Sequence, residues 1–292
     1  PAAFMKKCRE MKRRFSAWKE EFIMEKSIKR YMPIFVLPTF FAFILGFIVP
    51  FIMGIWLSFC KFTTVTDAKF VGFSNYIEAL KDTAFRHSFW YTVLFAIASL
   101  LIINIIAFAL AMALTKEMHG TNVFRTVFFM PNLIGGIVLG YIWQLIFNGV
   151  LSRYGTALAL NEWYGFWGLI ILVSWQQIGY MMIIYIAGLQ SIPGDVIEAA
   201  EIDGAGPFKT FLQVIIPVSK PVFATVFILD YVAYWSDFMW PLLVITDAGK
   251  RTVQLGIQTF FTEPPVYYGP IMAALTIASV PMIIMFLFLQ KY

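Results

Sequence analysis

Charged side chains are scarce in this sequence. They make up 13% of its 292 residues, about half their share in an average soluble domain. Together with a hydrophobic content of 60% and an aromatic content of 18%, that scarcity excludes an ordinary water-soluble fold. Cysteine is nearly absent too. Cys8 and Cys60 fall on opposite sides of the membrane in the topology derived below, so a disulfide framework is excluded. The two histidines, His87 and His119, stand apart and assemble neither a metal site nor a catalytic triad. No GxxxxGK[ST] phosphate loop occurs. The run Gly204 to Thr210 (GAGPFKT) has its Lys at the wrong distance from Gly and outside a strand–helix unit, so no nucleotide or other cofactor is expected on this chain. With no catalytic constellation, the chain is not expected to be an enzyme.

Long apolar runs are what the sequence does have. Tyr31–Cys60, Ser88–Thr115, Thr126–Ser152, Trp163–Gly194 and Pro264–Gln290 contain no Asp, Glu, Lys or Arg. Each exceeds the ~20 residues that cross a bilayer as helix. A sixth segment, from Pro217 to about Phe238, is apolar except for Asp230 and Asp237. The expected fold is therefore all-α and polytopic, with spans at 34–58, 90–114, 124–147, 166–189, 217–238 and 269–290. The first is too long for a cleavable signal peptide and lacks a small-residue cleavage site. Ahead of it, residues 1–30 read as a basic amphipathic helix, with Phe4, Met11, Phe15, Trp18, Phe22 and Ile23 recurring among Lys and Arg, suited to the inner leaflet.

Orientation follows from the basic residues. Fifteen lie on the side of the two termini and seven on the other, which places both termini in the cytoplasm. The net charge of +5 is thus a topology signal, with the basic tail near anionic lipid; it is not read as nucleic-acid binding.

On that cytoplasmic side lies the most informative stretch, Ser191 to Pro217, SIPGDVIEAAEIDGAGPFKTFLQVIIP. Asp195 with Glu198 three residues on predicts a capping box, Val196 to Asp203 a helix of about two turns, and Gly204 a positive-φ stop before Gly206-Pro207. A second short helix, Phe208 to Val214, leads into Pro217. The spacing Glu198-Ala199-Ala200, three residues, Gly204, nine residues, Val214 to Pro217 resembles the EAA loop of bacterial ABC importer permeases, with Val214 and Ile216 as mild departures from that pattern.

The resemblance extends over about residues 31–292 and points to the binding-protein-dependent carbohydrate (maltose-type) branch. Phe70 to Tyr76 (FVGFSNY) and Phe124 to Gly149 resemble the first-type sugar permease; Tyr234 to Ile245 and the ending from Leu275 resemble the second type, which leaves the chain's position in a complex open. The resemblance implies two cytoplasmic ATPase subunits, docked through Glu198, Ala199, Ala200, Asp203 and Gly204, with Glu201 adding to the acidic face. It also implies a second, different permease, an extracytoplasmic solute-binding protein and a place in the bacterial cytoplasmic membrane. A secondary transporter or channel is the alternative, although no internal repeat is visible and the spans carry only two acids.

Polar residues inside the spans are the candidates for the substrate path. Asp230 and Tyr234 share a face of the fifth span with Phe223, Phe227 and Asp237, and Gln177 and Tyr180 lie on the fourth. A carboxylate at that depth is costly unless wetted or paired, so Asp230 either faces a cavity or bonds a neighbouring helix. The charge-free windows offer no Lys or Arg as countercharge, which points to a neutral sugar or oligosaccharide. Gly136 and Gly140 on the third span, and Ala107, Ala109, Ala111 and Ala113 on the second, are expected at close helix contacts.

Overall fold

A computed structural model describes residues 31–115, 119–245, 251–261 and 266–291. The amphipathic segment expected over 1–30 lies outside them. The chain divides into two units at Trp56/Leu57.

In the first unit, helix α1 (Tyr31–Ser58) begins the membrane domain and runs past the division. Its turn at Ile44–Ile48 is widened, with the Val49 N–H bonding the carbonyl of Ile44. Pro50 accounts for this, because a proline ring collides with the carbonyl four residues earlier and the helix opens to relieve it. Phe43, Phe47 and Phe51 stack along one side at 5.3 and 6.1 Å.

In the second unit a two-residue hairpin, β1 (Cys60–Lys61) with β2 (Lys69–Phe70), pairs Cys60 with Phe70 and Lys61 with Lys69. A capping box closes its turn: Asp67 accepts from the Thr63 and Thr64 backbone amides and the Thr63 hydroxyl. Those bonds, the Thr63 hydroxyl first, hold the Asp67 carboxyl below the usual carboxylate range. Helix α2 (Ser74–Lys81) follows, then the long α3 (Thr83–Thr115). Cys60 is buried, so its thiol is closed to aqueous reagents.

The expected third span is bent by 96°. Helix α4 (Thr121–Phe129) tightens into a 3-10 turn at Met130–Leu133, and α5 (Gly136–Ser152) leaves in a new direction. Pro131 ends the α-helical bonding, and Ile134 and Gly135 are extended. Gly136 and Gly140 sit on a crowded face as expected; a Cβ on Gly140 would stand 2.3 Å from the Leu243 side chain.

Helix α6 (Glu162–Gln190) is straight enough to span alone. The loop helix α7 (Gly194–Ile202) leads to α8 (Pro207–Val218), then α9 (Lys220–Trp235) at 66° to it. The fifth span is thus a bent pair. Its widened turn at Phe211–Ile215 precedes Pro217, and the Ile216 N–H reaches back to the Phe211 carbonyl, the same accommodation as in α1. Short α10 (Met239–Val244) and α11 (Val253–Gly256) precede the last span, α12 (Tyr268–Leu289). Among the described residues four helices are long and apolar enough to cross a membrane alone, and counting each bent pair as one span brings the number to six.

The core is built where α3 lies along α6, with α9 closing over both. Phe95, Ile103, Ala107 and Ala111 of α3 bury with Leu169, Leu172, Val173 and Met182 of α6. Only two of the four expected alanines take part, because Ala107 and Ala111 are one turn apart, whereas Ala109 and Ala113 face outward. At the end of the molecule opposite α7, Phe85, Ile271 and Ala274 pack with Ala79 and Val253 in a second, smaller cluster.

Candidate functional site

The loop between the fourth and fifth spans is closed almost wholly by its own backbone. Ser191 ends α6 with its amide on the Gly188 and Leu189 carbonyls and its hydroxyl on Gly188. Pro193 occupies the N-cap of α7 and no side chain caps it, so the capping box expected at Asp195 is not formed. Chain entry through Ile192-Pro193 starts the helix two residues earlier, and Asp195 falls in the first turn, where its charge still complements the helix N-terminus.

The far end of α7 is as expected. Gly204 has φ +75°, its amide bonds the Glu201 carbonyl, and the Ala205 amide bonds the Ala200 carbonyl. This pair of bonds is a complete Schellman stop, which needs a residue that adopts positive φ freely. Thr210, buried beneath the turn, returns its hydroxyl to the Ala205 carbonyl at 3.3 Å. It is a residue that sequence reasoning passed over, since a Thr four residues beyond Gly-Pro carries no special signal.

Nothing in α7 is buried. Glu198, Ala199, Glu201 and Asp203 are exposed, and Ala200 is half-buried. Ile202 and Phe208, flanking the Gly204 turn, are 79% and 74% exposed. The knuckle thus presents two bare apolar side chains beside an acidic flank.

The polar residues inside the spans fall into two groups. In the first, Asp230 is fully buried, with one carboxylate oxygen accepting from Asn104 Nδ2 at 2.6 Å and the other from the Tyr234 hydroxyl at 3.3 Å. Asn104 Nδ2 also donates to the Leu100 carbonyl, and Asn104 Oδ1 accepts from the Tyr185 hydroxyl at 2.5 Å. The group ties α3, α6 and α9 together. Asp230 and Tyr234, expected to line a path, therefore face the subunit interior. Of the two readings of Asp230, the geometry is that of a bond to a neighbouring helix. The physical reason is proximity of a donor: a carboxylate in hydrocarbon takes the strongest available hydrogen bonds, and Asn104 stands opposite it. Asp237 lies past the end of α9, where it accepts from the Trp240 amide at the start of α10.

Gln177 and Tyr180 form the second group, on a different side of α6. At 100° per residue Tyr180 is roughly 140° around the helix from Tyr185. Gln177 is half-buried and accepts from Asn132 Nδ2 at 3.2 Å, and Tyr180 is 37% exposed. Asn132 belongs to the tight turn at the 96° bend. Its signal was an amide directly after a proline within an apolar span. Among the described residues the Gln177 NH2, the Asn132 carbonyl oxygen and the Tyr180 hydroxyl hold no hydrogen bond. This ledge lies 10 to 13 residues from the end of α6, about 15–20 Å along its axis and near the middle of a bilayer. Against it, Gly179 touches α4 so closely that a Cβ would stand 1.8 Å from the Phe128 carbonyl oxygen. The ledge is thus pinned to the bend by a contact only glycine permits.

His87, on the side of the molecule opposite α7, stacks on Tyr91 at 6.3 Å beside Trp90, Trp163 and Phe166, an aromatic setting of the kind found at membrane–water boundaries.

Comparison with known proteins bears on this architecture. The model of the family described as "Binding-protein-dependent transport system inner membrane component" matches residues 105–292. AmyD of Thermoanaerobacterium thermosulfurigenes, named as a probable starch degradation products transport system permease, is 37% identical over 76% of this chain and 79% of its own length. AraP of Bacillus subtilis, an arabinooligosaccharides transport system permease, is 31% identical over 73% of this chain and 70% of its own. In fold, a chain of the bacterial ABC transporter that imports the acidic polysaccharide alginate superposes with a TM-score of 0.74, covering 92% of this chain and 97% of that one at 18% identity. By the family match, the two curated relatives and the bent-span architecture, this chain belongs to the inner-membrane components of binding-protein-dependent transport systems.

Proposed function

We propose that this chain is one of two different permease subunits of an ATP-driven importer for a neutral sugar or oligosaccharide. Both termini and the loop of α7 lie on the cytoplasmic side. Two ATPase subunits dock there, one of them on Glu198, Ala199, Ala200, Asp203 and Gly204 with Ile202 and Phe208 as the apolar knob, and a solute-binding protein delivers the sugar to the opposite face.

The observation that carries this reading is the knuckle itself. A helix with no buried side chain, stopped by a self-contained turn, gains nothing from its own subunit and is stiff enough to pass on a push. The relatives that carry starch degradation products and arabinooligosaccharides support the choice of substrate. So does the ledge of Asn132, Gln177 and Tyr180, whose unused amide and hydroxyl groups suit sugar hydroxyls while the tyrosine ring suits the apolar side of a sugar ring. Within this subunit a phosphate ester would meet no countercharge between Thr126 and Ser152 or between Trp163 and Gly194, where no Lys or Arg occurs.

The test is purification of the chain from native membranes, followed by Gly204→Val. An ATPase subunit is expected to accompany the unaltered chain. A β-branched residue at φ +75° cannot hold the turn, so the variant is expected to insert normally but to lose the ATPase and with it transport. Normal transport by the variant would remove the docking role from this loop, and transport by a chain that never binds an ATPase would favour a secondary carrier.

A further inference from the structure

The short helix α2 (Ser74–Lys81) has three distinct sides, and only one is buried in this chain, although the Phe73 ring at its start also meets Phe59 and Tyr76 at 5.2 and 5.7 Å. Asn75 and Ala79 face inward. Asn75 Nδ2 bonds the carbonyls of Ser58 and Cys60 at 2.8 and 2.9 Å, and Ala79 packs with Ile271 and Ala274 of α12. Directly opposite, Phe73, Ile77 and Leu80 recur at i, i+4 and i+7 and are 67%, 53% and 53% exposed. Between the two sides runs a polar strip of Ser74, Glu78 and Lys81, all exposed.

The depth of α2 follows from its neighbour. Helix α12 has 22 residues, about 33 Å, scarcely more than the ~30 Å hydrocarbon core, so almost none of it can stand outside the bilayer. Ile271 and Ala274 lie three and six residues beyond Tyr268, about 5 and 9 Å down the helix and at the edge of the hydrocarbon. Contact with them holds α2 at that level. The contact is tight, since a Cβ on Gly269 would stand 2.6 Å from Asn75 Nδ2.

We propose that α2 lies in the plane of the bilayer boundary on the side opposite the α7 loop, with Phe73, Ile77 and Leu80 embedded in the phospholipid of that leaflet. One side then meets protein, the opposite side meets lipid, and the strip of Ser74, Glu78 and Lys81 meets water. A helix in the interface needs that three-way division. Phe70, 65% exposed at the end of β2, extends the lipid-facing side, and Lys81 at its edge reaches back toward the headgroups. A binding protein approaching from water would meet Glu78 and Lys81 first, and the apolar stripe would be turned away from it.

The experiment places the photo-reactive residue p-benzoylphenylalanine singly at Ile77, Leu80 or Glu78. The intact transporter complex, in vesicles of phosphatidylethanolamine and phosphatidylglycerol, is irradiated with and without its binding protein, and adducts are weighed by mass spectrometry. Phospholipid adducts are expected at positions 77 and 80, roughly tenfold fewer at 78, and unchanged by the binding protein. Cross-linking of position 77 into the binding protein or the second membrane subunit would overturn the proposal, as would equal lipid labelling at 77 and 78. All three positions are exposed, so the substitutions leave the packed side of α2 intact.

Discussion

Two polar groups inside the spans of this subunit have opposite characters. Around Asp230 the carboxylate has both oxygens engaged, the Asn104 amide both donates and accepts, and every member is at most 5% exposed. Around Gln177 a single bond to Asn132 leaves an NH2, a carbonyl oxygen and a hydroxyl unused and part-open. Hydrocarbon tolerates the first arrangement because nothing is left to satisfy. The second is stable only where water, sugar or another subunit supplies the missing partners. Satisfaction, more than residue type, therefore separates a polar tie between helices from a polar surface with bonds still to offer. Residue type alone draws attention to the acid; satisfaction draws it to the amides.

The comparison breaks hardest at Asn104. Asn104→Leu strips the buried Asp230 carboxyl of its closest donor and the Tyr185 hydroxyl of its acceptor, at a cost of about 3 kcal/mol for the two groups together, and the folded subunit should fall sharply in the membrane by quantitative immunoblot. Joining it to Asp230→Leu removes the stranded carboxyl but leaves the Tyr185 and Tyr234 hydroxyls without acceptors, so it should restore part of that level; no restoration at all would mean that the stranded carboxyl is not what destabilises the single variant. At the other group, Gly179→Ala drives a methyl into the Phe128 carbonyl and should cost about 1–3 kcal/mol, read as a lower melting temperature of the purified complex.

Gln177→Leu and Asn132→Ala remove ledge groups that hold only one bond. Each should raise the sugar concentration for half-maximal transport about tenfold and leave melting within about 0.5 kcal/mol of the parent. A loss of stability matching that of Asn104→Leu would erase the distinction between the two groups. The smallest effect is expected for Asp230→Asn. An amide can still accept from Tyr234 and pair with a turned Asn104, so assembly and sugar preference should both stay near the parent. A changed sugar preference in an assembled complex would return Asp230 to the path.

Much of this was legible in the sequence, and what was not has a common cause. Charge-free windows locate spans because the bilayer imposes one length on all of them, and Gly204 announces its turn because few other residues adopt positive φ. The 96° bend was hidden because Pro131 and Gly135-Gly136 are tolerated equally by straight spans with supporting neighbours. Likewise, the i, i+4, i+7 spacing correctly placed Asp230 and Tyr234 on one face, but a face has no intrinsic direction. Only Asn104, 126 residues away in the chain, turned it inward. Gln177 pairs with an amide 45 positions upstream, a partnership no local pattern encodes.

The Asp230 group also has a consequence in time. Asn104 and Tyr185 are synthesised before Asp230, which follows Tyr185 by 45 positions. At roughly 5–20 residues per second, α3 and α6 wait about 2–9 s for the acid that completes their pairing. During that interval the Asn104 amide has a donor still to place, so the half-made subunit is poorly suited to release into lipid and well suited to retention at the site of insertion. A chain cut short before α9 would stay in that state, with the Asn104 amide still lacking its Asp230 acceptor.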